Sequence, residues 1–327
     1  WFIKKLIIKM PELNKKINFD PLNTINLFGL KKYLFDFIGL FKVNKLPKVI
    51  LLSGKKGIGK FTLSFHLINY IFSQNSDHKY DYDKQIINKD NLFYKSIISN
   101  VSENFFFISN EINKKTSIED IRNIKKKFST SSLNNIPRFT ILDDVELLNI
   151  NAANSLLKLI EEPTNQNYFV LINNERKNVI ETIKSRALET KIFLNKESKR
   201  DVFNELIKYF NIQDHFSHEF IDFTTPGQLI KYSFFLEKLP IDMETSLYDT
   251  VLILLENYKK TKNDIFLDCI DFFLEIKFSR EMHYKSYQFV HLIRKKNEIM
   301  RLLYNHKNFN LSSSSVLEYI RRHEQYV

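Results

Sequence analysis

A chain of 327 residues with 43% hydrophobic and 27% charged residues has globular balance and material for two or three domains. A single cysteine, Cys269, excludes a disulfide framework and a zinc site built from several thiolates, and no apolar run reaches the ~18 residues of a membrane span. The net charge of +11 admits a polyanionic partner, but lysine is spread along the whole chain, so the charge alone marks no particular surface.

Residues 1–9, WFIKKLIIK, are basic and apolar without a small-residue cleavage site, and read as an extension ahead of Met10-Pro11. From Asn26 to Pro47 the apolar positions Leu34, Phe35, Phe37, Ile38 and Phe41 predict a helix. Val49 to Leu52 is a continuous apolar run suited to a parallel strand buried on both faces. It runs into SGKKGIGKFT, where Gly54, Gly57 and Gly59 let the backbone curl with N–H groups inward, and Lys60 opens a helix carrying Leu63, Leu67, Ile68 and Ile71. This is the G-x-x-x-x-G-K part of a phosphate-binding loop. The next position, where a hydroxyl holds Mg²⁺, is Phe61, with Thr62 displaced by one.

Residues Ser73 to Asn104 are polar and charged at their start and read as a surface insertion with one short helix and an exposed His78. Phe105 to Ile108 is a second strand, and Thr116 with Glu119 forms a capping box before a helix with Ile118, Ile121, Ile124 and Phe128 on one face and Lys125, Lys126 and Lys127 on a solvated one. A third strand, Phe139 to Leu142, ends in Asp143-Asp144, and Asn151 to Glu162 is a helix stopped by Pro163. Tyr168 to Ile172 and Lys191 to Leu194 are the fourth and fifth strands, with a helix between them ending near Ser185-Arg186. The alternation predicts a doubly wound α/β parallel sheet. Beyond Asn195 only helical patterns follow, interrupted at Pro226-Gly227 and Leu239-Pro240, with a bundle from Leu247 to Tyr258, Ile265 to Phe278 and Tyr287 to Tyr304.

SGKKGIGKFTL, FTILDDVELLNINAANSLLKLIEEP and ETIKSRALETKIF, in that order, resemble the clamp-loader branch of the AAA+ proteins. The most specific segment is NAANSLLKLIEEP, which is similar to the NAANALLKxLEEP helix of bacterial clamp-loader subunits, and TIKSRA is similar to their TIxSRC segment. The resemblance covers about Leu27 to Ile230. The GIGKxTL loop, the non-DEAH acidic segment and TPGQL are nearest to the non-motor, delta prime type within polymerase III.

The resemblance implies an AAA+ core at 10–194 with a five-stranded parallel sheet and helices on both faces, a helical lid at 195–239 and an all-α collar at 240–327 that joins subunits into a pentameric ring. Its implied partners are gamma/tau motor subunits, a delta subunit, the sliding clamp and primed DNA, in the cytoplasm and with no membrane. The implied role is to help ATP-dependent loading of the clamp as a stator within a DNA polymerase holoenzyme, without polymerase activity of its own. Arg186, in the SRC-like position, is then an arginine finger acting on a neighbour's ATP. For an isolated arginine, pairing with Glu189 is the alternative.

For this chain's own site, Gly54, Gly57, Gly59, Lys60, Thr62 and Asp143 are the candidate nucleotide-binding residues. Phe61 cannot ligate Mg²⁺, Asp144 stands where a hydrolytic relative has glutamate, and Gln228 replaces a sensor arginine. Two readings stay open: ATP or ADP bound without hydrolysis, or a loop retained for its turn alone. The competing function is an ATP-hydrolysing gamma/tau-like motor or another AAA+ ATPase. The four-cysteine zinc module of many relatives has no counterpart in 73–104, so no metal site is expected there. Arg294, Lys295, Lys296 and Arg301 read as a solvated face of the collar rather than a DNA stripe.

Overall fold

The computed structural model describes residues 19–109, 117–129, 136–161, 163, 166–212, 218–237, 239–241, 245–284, 289–309 and 311–324. Two compact units divide between Leu206 and Ile207. The extension expected at residues 1–9 and the cap expected at Thr116 lie outside the described residues.

In the first unit, helices α1 (Lys31–Lys42), α2 (Lys60–Ser73), α3 (Leu92–Ile98), α4 (Ile118–Ser129), α5 (Ile150–Ile160) and α6 (Glu181–Lys184) alternate with strands β1 (Val49–Ser53), β2 (Phe105–Ser109), β3 (Arg138–Asp143), β4 (Asn167–Asn173) and β5 (Leu188–Lys191). The strands form one parallel sheet in the order β2-β3-β4-β1-β5. All five residues of β1 are buried, as the unbroken apolar run requires. Because side chains alternate along a strand, Ile50 and Leu52 enter one core with Leu34 and Ile38 of α1 and Leu63 and Leu67 of α2. Val49 and Leu51 enter the other with Ala152, Ala153 and Leu156 of α5, Ile121 of α4 and Ile183 of α6.

Helix α2 is rich in aromatic and polar residues of modest helix propensity, yet almost every side chain in it is buried. At roughly 1.5–3 kcal/mol for each fully buried large apolar side chain, packing rather than propensity holds it.

The structure corrects the sequence reading at two places. The fifth strand lies three residues earlier than Lys191 to Leu194. Leu188–Lys191 pairs only with β1 and is largely exposed, so it lacks the apolar signature, whereas the apolar Ile192 follows the strand and its N–H donates to Ser53 O at 2.8 Å. Residues 73–104 are also more than a surface insertion. Tyr80, Ile87, Tyr94 and Ile97 are buried in the same core as α1 and α2, while His78 is exposed.

Helix α7 (Lys196–Phe210) crosses the division between the units. The second unit is helical: α8 (Pro226–Leu236), α9 (Leu247–Thr261), α10 (Ile265–Tyr284), α11 (Phe289–Phe309) and α12 (Ser313–Glu324). Helices α9 and α11 each pack on α10 and α12, and Val251, Leu254, Ile270, Leu274, Leu292, Ile299, Val316 and Ile320 are buried. Helix α12 went unread in the sequence because four serines precede its two buried anchors, Val316 and Ile320. In the basic run on α11, Lys296 pairs with Glu275 and Arg301 with Glu298. Among the described residues, no helix is long and apolar enough to cross a membrane.

His66 of α2 is fully buried, with Nδ1 2.8 Å from the Tyr80 hydroxyl and Nε2 3.4 Å from Thr24 O. Burial pulls its pKa down to about 3, only partly offset by the Thr24 carbonyl. The unfolded chain therefore takes up a proton below about pH 6.5 that the folded chain refuses until about pH 3, so stability falls as pH falls across that window. Between pH 7 and pH 5 the expected loss from this residue is about 2 kcal/mol. Urea unfolding at the two pH values should show it, and His66→Gln should flatten the dependence whatever it does to absolute stability.

Candidate functional site

The loop Gly54–Gly59 joins β1 to α2 at the carboxyl end of the sheet, and its shape depends on missing side chains. A Cβ at Gly54 would stand 2.4 Å from Ile192 O, and Gly59, the residue capping α2, has φ +101°, which L side chains rarely adopt. The Gly54 N–H donates to Asn173 O at 3.2 Å, so the loop is stitched to the end of β4.

Lys60, 3% exposed, folds its ammonium back over the loop, donating to Gly54 O and, at 3.0 Å, to Lys55 O. Burial lowers its pKa to about 8, against the pull of Asp143, Glu146, Glu175 and Asp144. A buried ammonium over glycines at the start of a helix has the charge and donors that favour anionic oxygen.

Phe61 turns away from this site. It is 7% exposed, packs edge-on against Phe107 of β2 with ring centroids 4.6 Å apart, and stacks with Phe65 at 6.0 Å. Thr62 is half-buried on the first turn of α2. The residues present therefore suit a phosphate group, but position 61 supplies no oxygen for a magnesium ion.

The acidic side of the site is a network that the sequence showed only in part. Asn174 donates from Nδ2 to Asp143 Oδ1 at 2.9 Å and to Asp144 Oδ1 at 2.7 Å, and its backbone N–H donates to Glu146 Oε1 at 3.1 Å. Asp144 is 2% exposed and lies in the left-handed region, φ 55°. Glu146 is 7% exposed with Oε2 buried and without a hydrogen-bond partner. Burial, then Asp144, raises the pKa of Asp143 against the Asn174 hydrogen bond, and burial chiefly raises that of Glu146. Asn173 completes the set, donating from Nδ2 to Ser53 Oγ at 3.0 Å. The available signal was a pair of asparagines ending an apolar strand on the side of the sheet where the loop emerges.

Gly54, Gly57, Gly59, Lys60 and Asp143 thus gather at one end of the sheet, while Gln228 lies in the first turn of α8 in the second unit. Arg186 stands apart, just beyond α6. Its Nη1 donates to Thr182 O at 2.9 Å and weakly to Ser185 Oγ at 3.4 Å, and its Nη2 donates to Glu161 Oε1 at 2.8 Å. Its carboxylate partner is thus Glu161, at the end of α5, and not Glu189. Among the described residues, no group of three or more His, Cys, Asp or Glu side chains is placed to hold a metal ion.

The family described as "DNA polymerase III, delta subunit" matches residues 30–195. The chain is 28% identical over 177 residues to the DNA polymerase III subunit gamma of Buchnera aphidicola subsp. Schizaphis graminum, covering 54% of this chain and 46% of that protein. It is 36% identical over 89 residues to the DNA polymerase III subunit delta' of Buchnera aphidicola subsp. Acyrthosiphon pisum, 27% of each chain. The chain therefore spans less than half the length of these curated relatives. A gamma subunit-related protein of Thermotoga maritima superposes with a TM-score of 0.49 at 18% identity, over 88% of this chain and 98% of that one.

Asn174→Ala should remove the side chain that bridges Asp143 and Asp144 and cost about 1–3 kcal/mol of stability at pH 7. Burial raises the folded pKa of Asp143, and the Asn174 hydrogen bond favours its ionised form. The loss should shrink as acid protonates this carboxyl, and urea midpoints at pH 7 and pH 5 would differ between variant and parent accordingly.

Proposed function

The chain belongs to the family described as DNA polymerase III, delta subunit, and from that membership we propose that it is a clamp-loader subunit of the delta prime type that does not itself hydrolyse ATP. The observation that carries this reading is Phe61, buried against Phe107 at the position where a hydrolytic loop places its magnesium ligand. Phosphoryl transfer depends on positioning and charge neutralisation, so a site without that ligand, with Asp144 hydrogen-bonded to Asn174, retains attraction for phosphate but lacks parts needed for turnover.

In this reading Gly54, Gly57, Gly59 and Lys60 hold the phosphates of ATP or ADP, with Thr62 and Asp143 beside them. ATP supplies its chemistry elsewhere, in a neighbouring gamma/tau motor subunit toward which Arg186 is directed. The exposed position of Arg186, outside this chain's own loop, supports that role. A delta subunit, the sliding clamp and primed DNA complete the assembly, and its place is the cytoplasm.

A second reading is favoured by the similarity to gamma subunits: an ATP-hydrolysing motor in which Thr62 replaces the missing hydroxyl. Turnover by the purified chain with Mg²⁺ and DNA separates the two. The proposed function predicts none above background, and turnover abolished by Lys60→Ala would establish the motor. In the reconstituted loader, Arg186→Ala should lower DNA-stimulated hydrolysis by roughly 10³-fold at the neighbouring site. ADP affinity of this chain should also weaken as pH rises past about 8, where Lys60 loses its charge, as calorimetry across about pH 7 to 9 would show.

A further inference from the structure

We propose that Glu161 is the positioning residue for Arg186, holding the guanidinium in one orientation from the end of a different helix. The inference rests on the reading of Arg186 as a group acting on a neighbour's nucleotide. It comes from the way the side chain is held. Arg186 follows α6, and a long exposed arginine at such a place ordinarily samples many rotamers.

Here it is fixed from two sides. The Thr182 carbonyl, on the preceding helix α6, takes Nη1 at 2.9 Å, and Glu161 at the carboxyl end of α5 takes Nη2 at 2.8 Å. The two acceptors lie on different elements and meet different nitrogens, so together they define the plane of the guanidinium, which neither does alone.

The contacts leave the group usable. A guanidinium carries five N–H donors. The bonds to Thr182, Glu161 and Ser185 engage both nitrogens Nη1 and Nη2 but leave Nε–H and one hydrogen of Nη2 for an incoming phosphate oxygen. Glu161 is itself exposed, so the pair can meet a neighbouring subunit without unpacking the core. A carboxylate that merely competed with phosphate would need no second acceptor behind the same group. Support on both sides is what preorganisation requires.

The test uses the reconstituted loader with every other subunit unchanged. Glu161→Ala should lower the kcat of DNA-stimulated ATP hydrolysis about tenfold with KM unchanged, because a loosened guanidinium loses transition-state contacts and not substrate binding. Glu161→Gln keeps an acceptor oxygen and should restore most of the loss, which a general fault in folding or assembly would not allow. On the purified chain, phenylglyoxal labelling followed by peptide mass spectrometry should show Arg186 reacting severalfold faster in Glu161→Ala, a readout independent of turnover.

If Arg186→Ala lowers turnover while Glu161→Ala leaves kcat and labelling unchanged, the positioning role is wrong and the role of Arg186 stands. Faster turnover in Glu161→Ala would mean competition with phosphate and equally overturns it. If Arg186→Ala leaves turnover unchanged, the reading beneath the inference fails first.

Discussion

β1 is hydrogen-bonded on both sides, to β4 and to β5, and buried along its whole length, so the point at which it ends dictates where everything else at that end of the sheet can stand. The turn after Ser53 passes so close to Ile192 O that no Cβ fits at Gly54, and the Gly54 N–H is spent on Asn173. From this follow the position of Lys60 at the mouth of α2 and the meeting of Asp143, Asp144 and Asn174 opposite it. A side chain at Gly54 would meet Ile192 O, so the loop keeps this course only with glycine there.

Within that frame, two opposed electrostatic costs are balanced against each other. Burial disfavours the ammonium of Lys60 and the carboxylates of Asp143 and Glu146 alike; the carboxylates partly relieve Lys60, the Asn174 hydrogen bond and then Lys60 relieve Asp143, and backbone N–H groups relieve Glu146. An incoming phosphate adds negative charge on the Lys60 side, where glycine amides and the start of α2 also favour it. A magnesium ion would have to be held from the other side without an oxygen from position 61. The same core that stabilises α2 takes in Phe61, so one side chain both packs the helix and leaves position 61 without an oxygen.

What the sequence made legible and what it hid divide along sequence distance. The loop was readable because Gly54, Gly57, Gly59 and Lys60 lie within seven residues and local backbone chemistry defines them. The sheet was readable from apolar runs, except at β5, an edge strand without a buried pattern, and at Tyr80 to Ile97, where polar neighbours masked residues that complete the core. Asn174, bridging two aspartates about thirty positions away, and Glu161, reaching Arg186 across twenty-five, leave no local trace, since tertiary packing alone brings them together. The direction of Phe61 was equally invisible: its identity excluded a metal ligand, but only the structure places its ring against Phe107.

The central claim is a phosphate site separated from its metal chemistry, and equilibrium binding of ADP to the purified chain, by calorimetry with Mg²⁺ and then with EDTA, tests it most directly. The account predicts binding that is abolished by Lys60→Ala and insensitive to Mg²⁺. Binding that requires Mg²⁺ and survives Lys60→Ala would contradict it.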